Sequence, residues 1–163
     1  MKMAWLAALA AATLPASAAA AQSVTVTGLA GEHVTHAAAD HAAMPRAAVT
    51  LQLEGGRSEA CEGVPLSAIL AKVGAPQGKA LRGPEMADAV LIGAADGYHV
   101  ALALAETDPM LRTGPIVLAD RCNGAAMAAP EGPFRLVVVG DLRPARSARQ
   151  VTSITVLRLA AAN

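Results

Sequence analysis

The sequence predicts an α+β fold with few, short helices. Three observations carry this reading. Seven stretches have the alternation or apolar continuity of strands, and only two have the pattern of helices. The two helices are not regularly interleaved with the strands, as a doubly wound parallel sheet requires. At 163 residues the chain is long enough to enclose a proper core.

The elements follow in order. Ser23 to Gly28, SVTVTG, alternates apolar and polar residues and reads as an edge-type strand ended by glycine. His36 to Met44 reads as a short helix halted by Pro45. Ala48 to Leu53 alternates again and puts Val49, Leu51 and Leu53 on one face before Gly55-Gly56 breaks it. Val64 to Gly74 has the clearest helical pattern. Leu66, Ile69, Leu70 and Val73 form one apolar stripe, Pro65 suits the first turn and Gly74 the C-cap. Ala89 to Gly93 and Tyr98 to Leu104 read as two strands around an Asp96-Gly97 turn. Ile116 to Ala119 is a further strand, with Asn123-Gly124 as the next turn. Arg135 to Val139 is continuously apolar after its first residue, as in a strand buried on both faces. Val151 to Leu159 is the last strand. No repeat, coiled coil or linker divides the chain.

The first 21 residues stand apart. Lys2, the apolar stretch Ala4 to Leu14, Pro15 and the small residues that follow have the three-part pattern of a secretory signal peptide. The stretch is too short to span a bilayer. Cleavage near Ala21, or at Ala18, would leave one domain over residues 22–163 in the periplasm or outside the cell. That mature chain carries 12 basic and 13 acidic residues, a net charge of −1. Such a balance gives no basis for general nucleic-acid binding, and no later run is long enough to cross a membrane.

Two cysteines remain, Cys61 and Cys122. In an oxidising compartment an even pair reads as a disulfide, with two free thiols as the alternative. They do not by themselves make a structural zinc site. The run HVTHAAADH holds His33, His36 and His41. His36 and Asp40 have helical i,i+4 spacing, but the run matches no ligand code, and a solvated helix face explains it as well. No nucleophile elbow, P-loop, zinc-protease or dinucleotide fingerprint is present, so no catalytic residue emerges.

Charge concentrates near the C-terminus. Residues 131–163 carry five arginines against Glu131 and Asp141, a local excess of +3. Arg143, Arg146 and Arg149 are spaced three apart in GDLRPARSARQ. Planar guanidinium forks converging in a cleft suit a phosphate or similar anion. The same residues on an open loop would simply be solvated.

Three stretches in this order, CEGVPLSAILAKVGAP, AADGYHVALALAE and VLADRCNGAAMAAPEGPFRLVVVGDLRPARSARQVTSITV, carry a wider likeness. Together they resemble the molybdopterin-binding oxidoreductase domain of the sulfite oxidase family, over about Val24 to Val156. The resemblance implies mixed, strongly curved sheets and a molybdenum pterin held by basic residues and backbone amides. It puts Arg146 and Arg149 at the phosphate end of the cofactor and matches Arg135 to an arginine of an HG-x-P-x-R element. Arg143 has no firm counterpart.

It also implies losses. Where the family has its metal-binding cysteine at a strand end, this sequence has Leu53, and leucine ligates no metal. Glu131 replaces a pterin-facing histidine, and Gln150 a tryptophan. The expectation is therefore a binding module for a small anionic or pterin-like ligand, without cysteine-ligated molybdenum. The alternatives are a working molybdopterin-dependent oxidoreductase for a small oxyanion or sulfoxide, and a ligand-free domain that docks a periplasmic redox partner.

Overall fold

The computed structural model describes residues 23–159. The expected signal peptide lies outside them. The strands are β1 (Ser23–Thr27), β2 (His33–Ala37), β3 (Ala47–Gln52), β4 (Ser58–Pro65), β5 (Ala89–Ala94), β6 (His99–Ala103), β7 (Ile116–Cys122), β8 (Ala125–Ala126), β9 (Arg135–Val138) and β10 (Val151–Leu157). The helices are α1 (Ala38–Ala42) and α2 (Leu66–Leu70), with short 3₁₀ turns between other elements. The class is α+β, as the sequence indicates.

One sheet runs β2-β1-β10-β5-β6 and is mixed, because β1 pairs with β10 in parallel and the other pairs are antiparallel. The second runs β3-β4-β7-β8, with β9 also on β7. Both β8 and β9 pair with β7, so the loop between them, carrying Glu131, folds back beside this sheet.

Most of the larger core lies between the sheets and takes α2 as its cover. Leu66, Ile69, Leu70 and Val73 are buried in it with Val24, Val26, Ile92, Leu118, Phe134, Leu136 and Ile154. Each such side chain contributes roughly 2 kcal/mol by leaving water. A smaller core forms on the opposite face of the second sheet from Val49, Leu51, Cys61, Val117, Ala119 and Val137. Strand periodicity explains both: in β9 and over Ile116 to Ala119 of β7 the even-numbered residues face one core and the odd-numbered ones the other, and the register shift after Ala119 returns Cys122 to the smaller core. All four residues of β9 are buried, so the unbroken RLVV run is a strand covered on both faces.

Several expectations change. β1 is not an edge strand; it lies between β2 and β10. The expected helix from His36 shrinks to α1, because His33–Ala37 pairs with β1 instead. The pattern HVTHA is polar enough to hide a strand whose partner supplies the context. β4 is an element that periodicity missed, since two glutamates and a glycine interrupt its apolar positions. Gly63 is needed there: an added Cβ would stand 2.1 Å from the Leu118 carbonyl oxygen, where β4 and β7 close together at a register shift. α2 is shorter than expected and continues as a 3₁₀ turn, ending at Gly74 with φ 66°, the left-handed C-cap the sequence indicates.

Cys61 and Cys122 are directly opposite in the β4–β7 ladder and form a disulfide, with Cα atoms 4.0 Å apart. It links positions separated by 61 residues. A bridge closing a loop of that size contributes about 4 kcal/mol in the chain-entropy account.

The histidines also move from their expected place. His41 is completely buried and His36 nearly so, rather than lying on a solvated helix face. The His41 ring packs 4.6 Å from the Phe134 ring and 5.9 Å from His36, centroid to centroid. Neither His41 nitrogen has a hydrogen-bond partner among the described residues. Burial is the leading cause that lowers the His41 imidazole below its ordinary 6.5; His36 and Arg46 lower it further, while Asp120 and Asp40 act the other way. The unfolded chain therefore takes up a proton here at a higher pH than the native one. Stability is full above about 6.5 and falls as pH drops through the native value. Chemical denaturation across about pH 5 to 8 should show this loss, and His41→Leu should flatten it. An equally steep profile in His41→Leu would assign the acid sensitivity elsewhere.

Candidate functional site

A cavity of about 670 Å³ opens where turns from both sheets meet. The β3–β4 turn supplies Leu53, Glu54 and Arg57, and β4 supplies Glu59. The β5–β6 turn supplies Asp96 and Tyr98, the loop before β9 and its first residue supply Glu131 and Arg135, and the loop before β10 supplies Pro144, Ala145, Ser147, Ala148 and Arg149. Tyr98 closes one side by donating its hydroxyl to the Ala145 carbonyl at 2.9 Å.

Arg135 is the most constrained of these groups. It opens β9 opposite Ala119 and is only 8% exposed. Its Nη1 donates to Glu131 Oε2 at 2.5 Å, while its buried Nε has no partner among the described residues. Arg149 donates from the other side to Glu131 Oε1 at 2.9 Å. Two guanidinium groups thus share one carboxylate. Burial is the main cause that lowers the Arg135 pKa; Arg149 lowers it too, and Glu131 and Glu59 oppose it. The hydrogen bond that Arg149 donates to Glu131 raises the pKa of Arg149. Arg135 is therefore a desolvated cation that shares its carboxylate with Arg149, and only its Nη1 makes a hydrogen bond among the described residues, an arrangement that favours a further anion beside the guanidinium.

Of the expected arginines, Arg135 and Arg149 line this cavity. Arg146 does not. It donates twice to Asp141, at 2.9 and 2.7 Å, and once to Glu106 at 3.0 Å. These bonds raise its pKa and engage all three guanidinium nitrogens. The reason is local: Pro144 to Arg146 forms a 3₁₀ turn that directs Arg146 toward Asp141. Arg143 is exposed and lines a smaller adjoining hollow with Glu54, Gly55, Gly56 and Leu142. Sequence reasoning missed Arg57, which the β3–β4 turn delivers to the main cavity; its place after Gly55-Gly56 was the available signal. The cavity is not basic overall. Arg57, Arg135 and Arg149 face Glu54, Glu59, Asp96 and Glu131, three cations against four carboxylates.

The donor set does not suit cysteine-ligated molybdenum. Leu53 is partly buried and packs against the smaller core. Both cysteines are consumed in the disulfide, and among the described residues there is no free thiol. Glu131 occupies two of the three arginines that line the cavity.

The crystal structure of the sulfane dehydrogenase SoxCD from Paracoccus pantotrophus superposes on this arrangement of sheets with a TM-score of 0.63 and 23% sequence identity. The chain shares that fold. The match covers 84% of this chain and 38% of that one, so the present sequence spans well under half of that protein's length. No protein-family profile matches the sequence, and no curated protein does.

Proposed function

We propose that this chain is an exported binding module on a sulfite-oxidase-type scaffold. Its cavity takes a small anionic, pterin-like ligand without cysteine-ligated molybdenum. The observation that carries this reading is the Arg135–Glu131–Arg149 triad: two arginines, one of them buried with an unpartnered Nε, share a single carboxylate. The motifs around GPFRLVVVG and ARSARQ, and the fold shared with a sulfane dehydrogenase, support it.

The mixed charge of the cavity favours a heterocyclic phosphate over a bare anion. Arg57, Arg135 and Arg149 suit a phosphate group. Glu54, Glu59 and Asp96 suit the ring N–H donors of a pterin, which inorganic phosphate lacks. Glu131 acts as an internal counter-anion that an entering phosphate must displace. It is 41% exposed, so water can receive it when it swings out.

Glu131→Gln should therefore tighten binding of a pterin phosphate by about fivefold, the worth of one partly exposed ion pair. Isothermal titration of both proteins with a pterin phosphate, with inorganic phosphate as the comparison, checks this. Weaker binding in Glu131→Gln would contradict the counter-anion role. No binding of either probe by either protein would sink the ligand reading.

A further inference from the structure

The disulfide lies on the same face of the second sheet as Arg135, beside the cavity. Strand alternation puts Glu59 and Cys61, two apart on β4, on one face, and Cys122 is directly across the ladder. One carboxylate oxygen of Glu59 and both sulfurs lie within 4.8 Å of one another. Among the described residues no ion pair uses Glu59.

We propose that reduction of the Cys61–Cys122 disulfide turns this corner into a site for one soft divalent metal ion of the zinc class. The ligands are Cys61 Sγ, Cys122 Sγ and a Glu59 carboxylate oxygen. Reduction requires a dithiol partner. It supplies two electrons and two protons, the S–S bond breaks into two thiols, and the partner leaves as its own disulfide. Metal binding then releases the two thiol protons to water and forms two metal–sulfur bonds.

The geometry suits this without large movement. Zinc–sulfur bonds near 2.3 Å and zinc–oxygen bonds near 2.1 Å in a tetrahedron put ligand atoms roughly 3.5–3.8 Å apart. The two sulfurs need only separate to that distance. The strands stay in register without the bridge. Asn123 N donates to the Ala60 carbonyl at 2.7 Å, Ala60 N donates to Asn123 Oδ1 at 3.3 Å, and the ladder continues from Gly63 to Pro65. Glu59 lines the cavity, which gives the ion its path. Soft thiolates with one carboxylate and an open fourth position select zinc-like ions over calcium or magnesium.

The test uses the mature chain, reduced with dithiothreitol, freed of reductant under nitrogen and titrated with Co²⁺, then with Zn²⁺ as competitor. The expected result is one equivalent of Co²⁺ with a near-ultraviolet sulfur-to-metal charge-transfer band that Zn²⁺ abolishes, and no band in the oxidised protein. Glu59→Gln keeps both thiols and should weaken the affinity at least about tenfold. Absence of the band in reduced protein that retains its circular dichroism overturns the proposal. So does an affinity unchanged in Glu59→Gln, and so does loss of the fold on reduction, since the ligand set would then not be preformed.

Discussion

Arg135→Met should lower the affinity for a pterin phosphate by about ten- to hundredfold, the worth of a charge-assisted hydrogen bond in a desolvated site. Methionine keeps most of the apolar stem that packs at the start of β9, and Glu131 retains Arg149 as its partner, so the fold should survive. The comparison that gives this prediction its force is Arg146→Met. Arg146 belongs to the same cluster in the sequence but is spent on Asp141 and Glu106 outside the cavity. Its replacement should leave affinity nearly unchanged and cost stability instead. Titration of both variants, with urea denaturation beside it, separates the two roles. Equal losses of affinity would show that the cluster acts as a diffuse charge and that the cavity selects no particular arginine.

Phe134→Ala should destabilise the protein by about 3–5 kcal/mol, the usual cost of emptying a fully buried aromatic site. Phe134 is 0% exposed and joins the larger core to the His41 ring. It also immediately precedes Arg135, so the packing of one side chain fixes where the next one projects. Urea midpoints at pH 7 and at lower pH check both consequences. The variant should lose stability at neutral pH, and water admitted beside His41 should make protonation of that ring easier. Phe134→Leu should cost only about 1 kcal/mol, as a volume-similar change. A loss below that in Phe134→Ala would place the weight of this core elsewhere.

The parts of the fold that the sequence announces are those where local chemistry and tertiary context agree. The stripe Leu66, Ile69, Leu70 and Val73 is a buried helical face, Gly74 is its left-handed cap, and the Asp96-Gly97 and Asn123-Gly124 turns join paired strands. β2 and β4 are hidden for the opposite reason. HVTHA and SEACEGVP are too polar or too interrupted to read as strands alone, and their neighbours β1, β3 and β7 decide them. The same holds for chemistry. The cysteine pair is legible from compartment and number. The arginine spacing is legible too, but not its division of labour, because a 3₁₀ turn sends Arg146 to Asp141 and leaves Arg149 for Glu131. His41 is the furthest from its sequence reading: periodicity places it on a solvated helix face, and the fold buries it against Phe134.

The central property of the molecule is an anion cavity that does without a metal-bound thiolate. The most direct test is to produce the chain in a host competent for molybdenum-cofactor synthesis and to assay the purified protein for molybdenum and for pterin. The expected result is pterin or phosphate at or near one equivalent, lost in Arg135→Met, with molybdenum far below one equivalent. Stoichiometric molybdenum would contradict it and would require a metal ligand set that Leu53 and the Cys61–Cys122 disulfide do not provide.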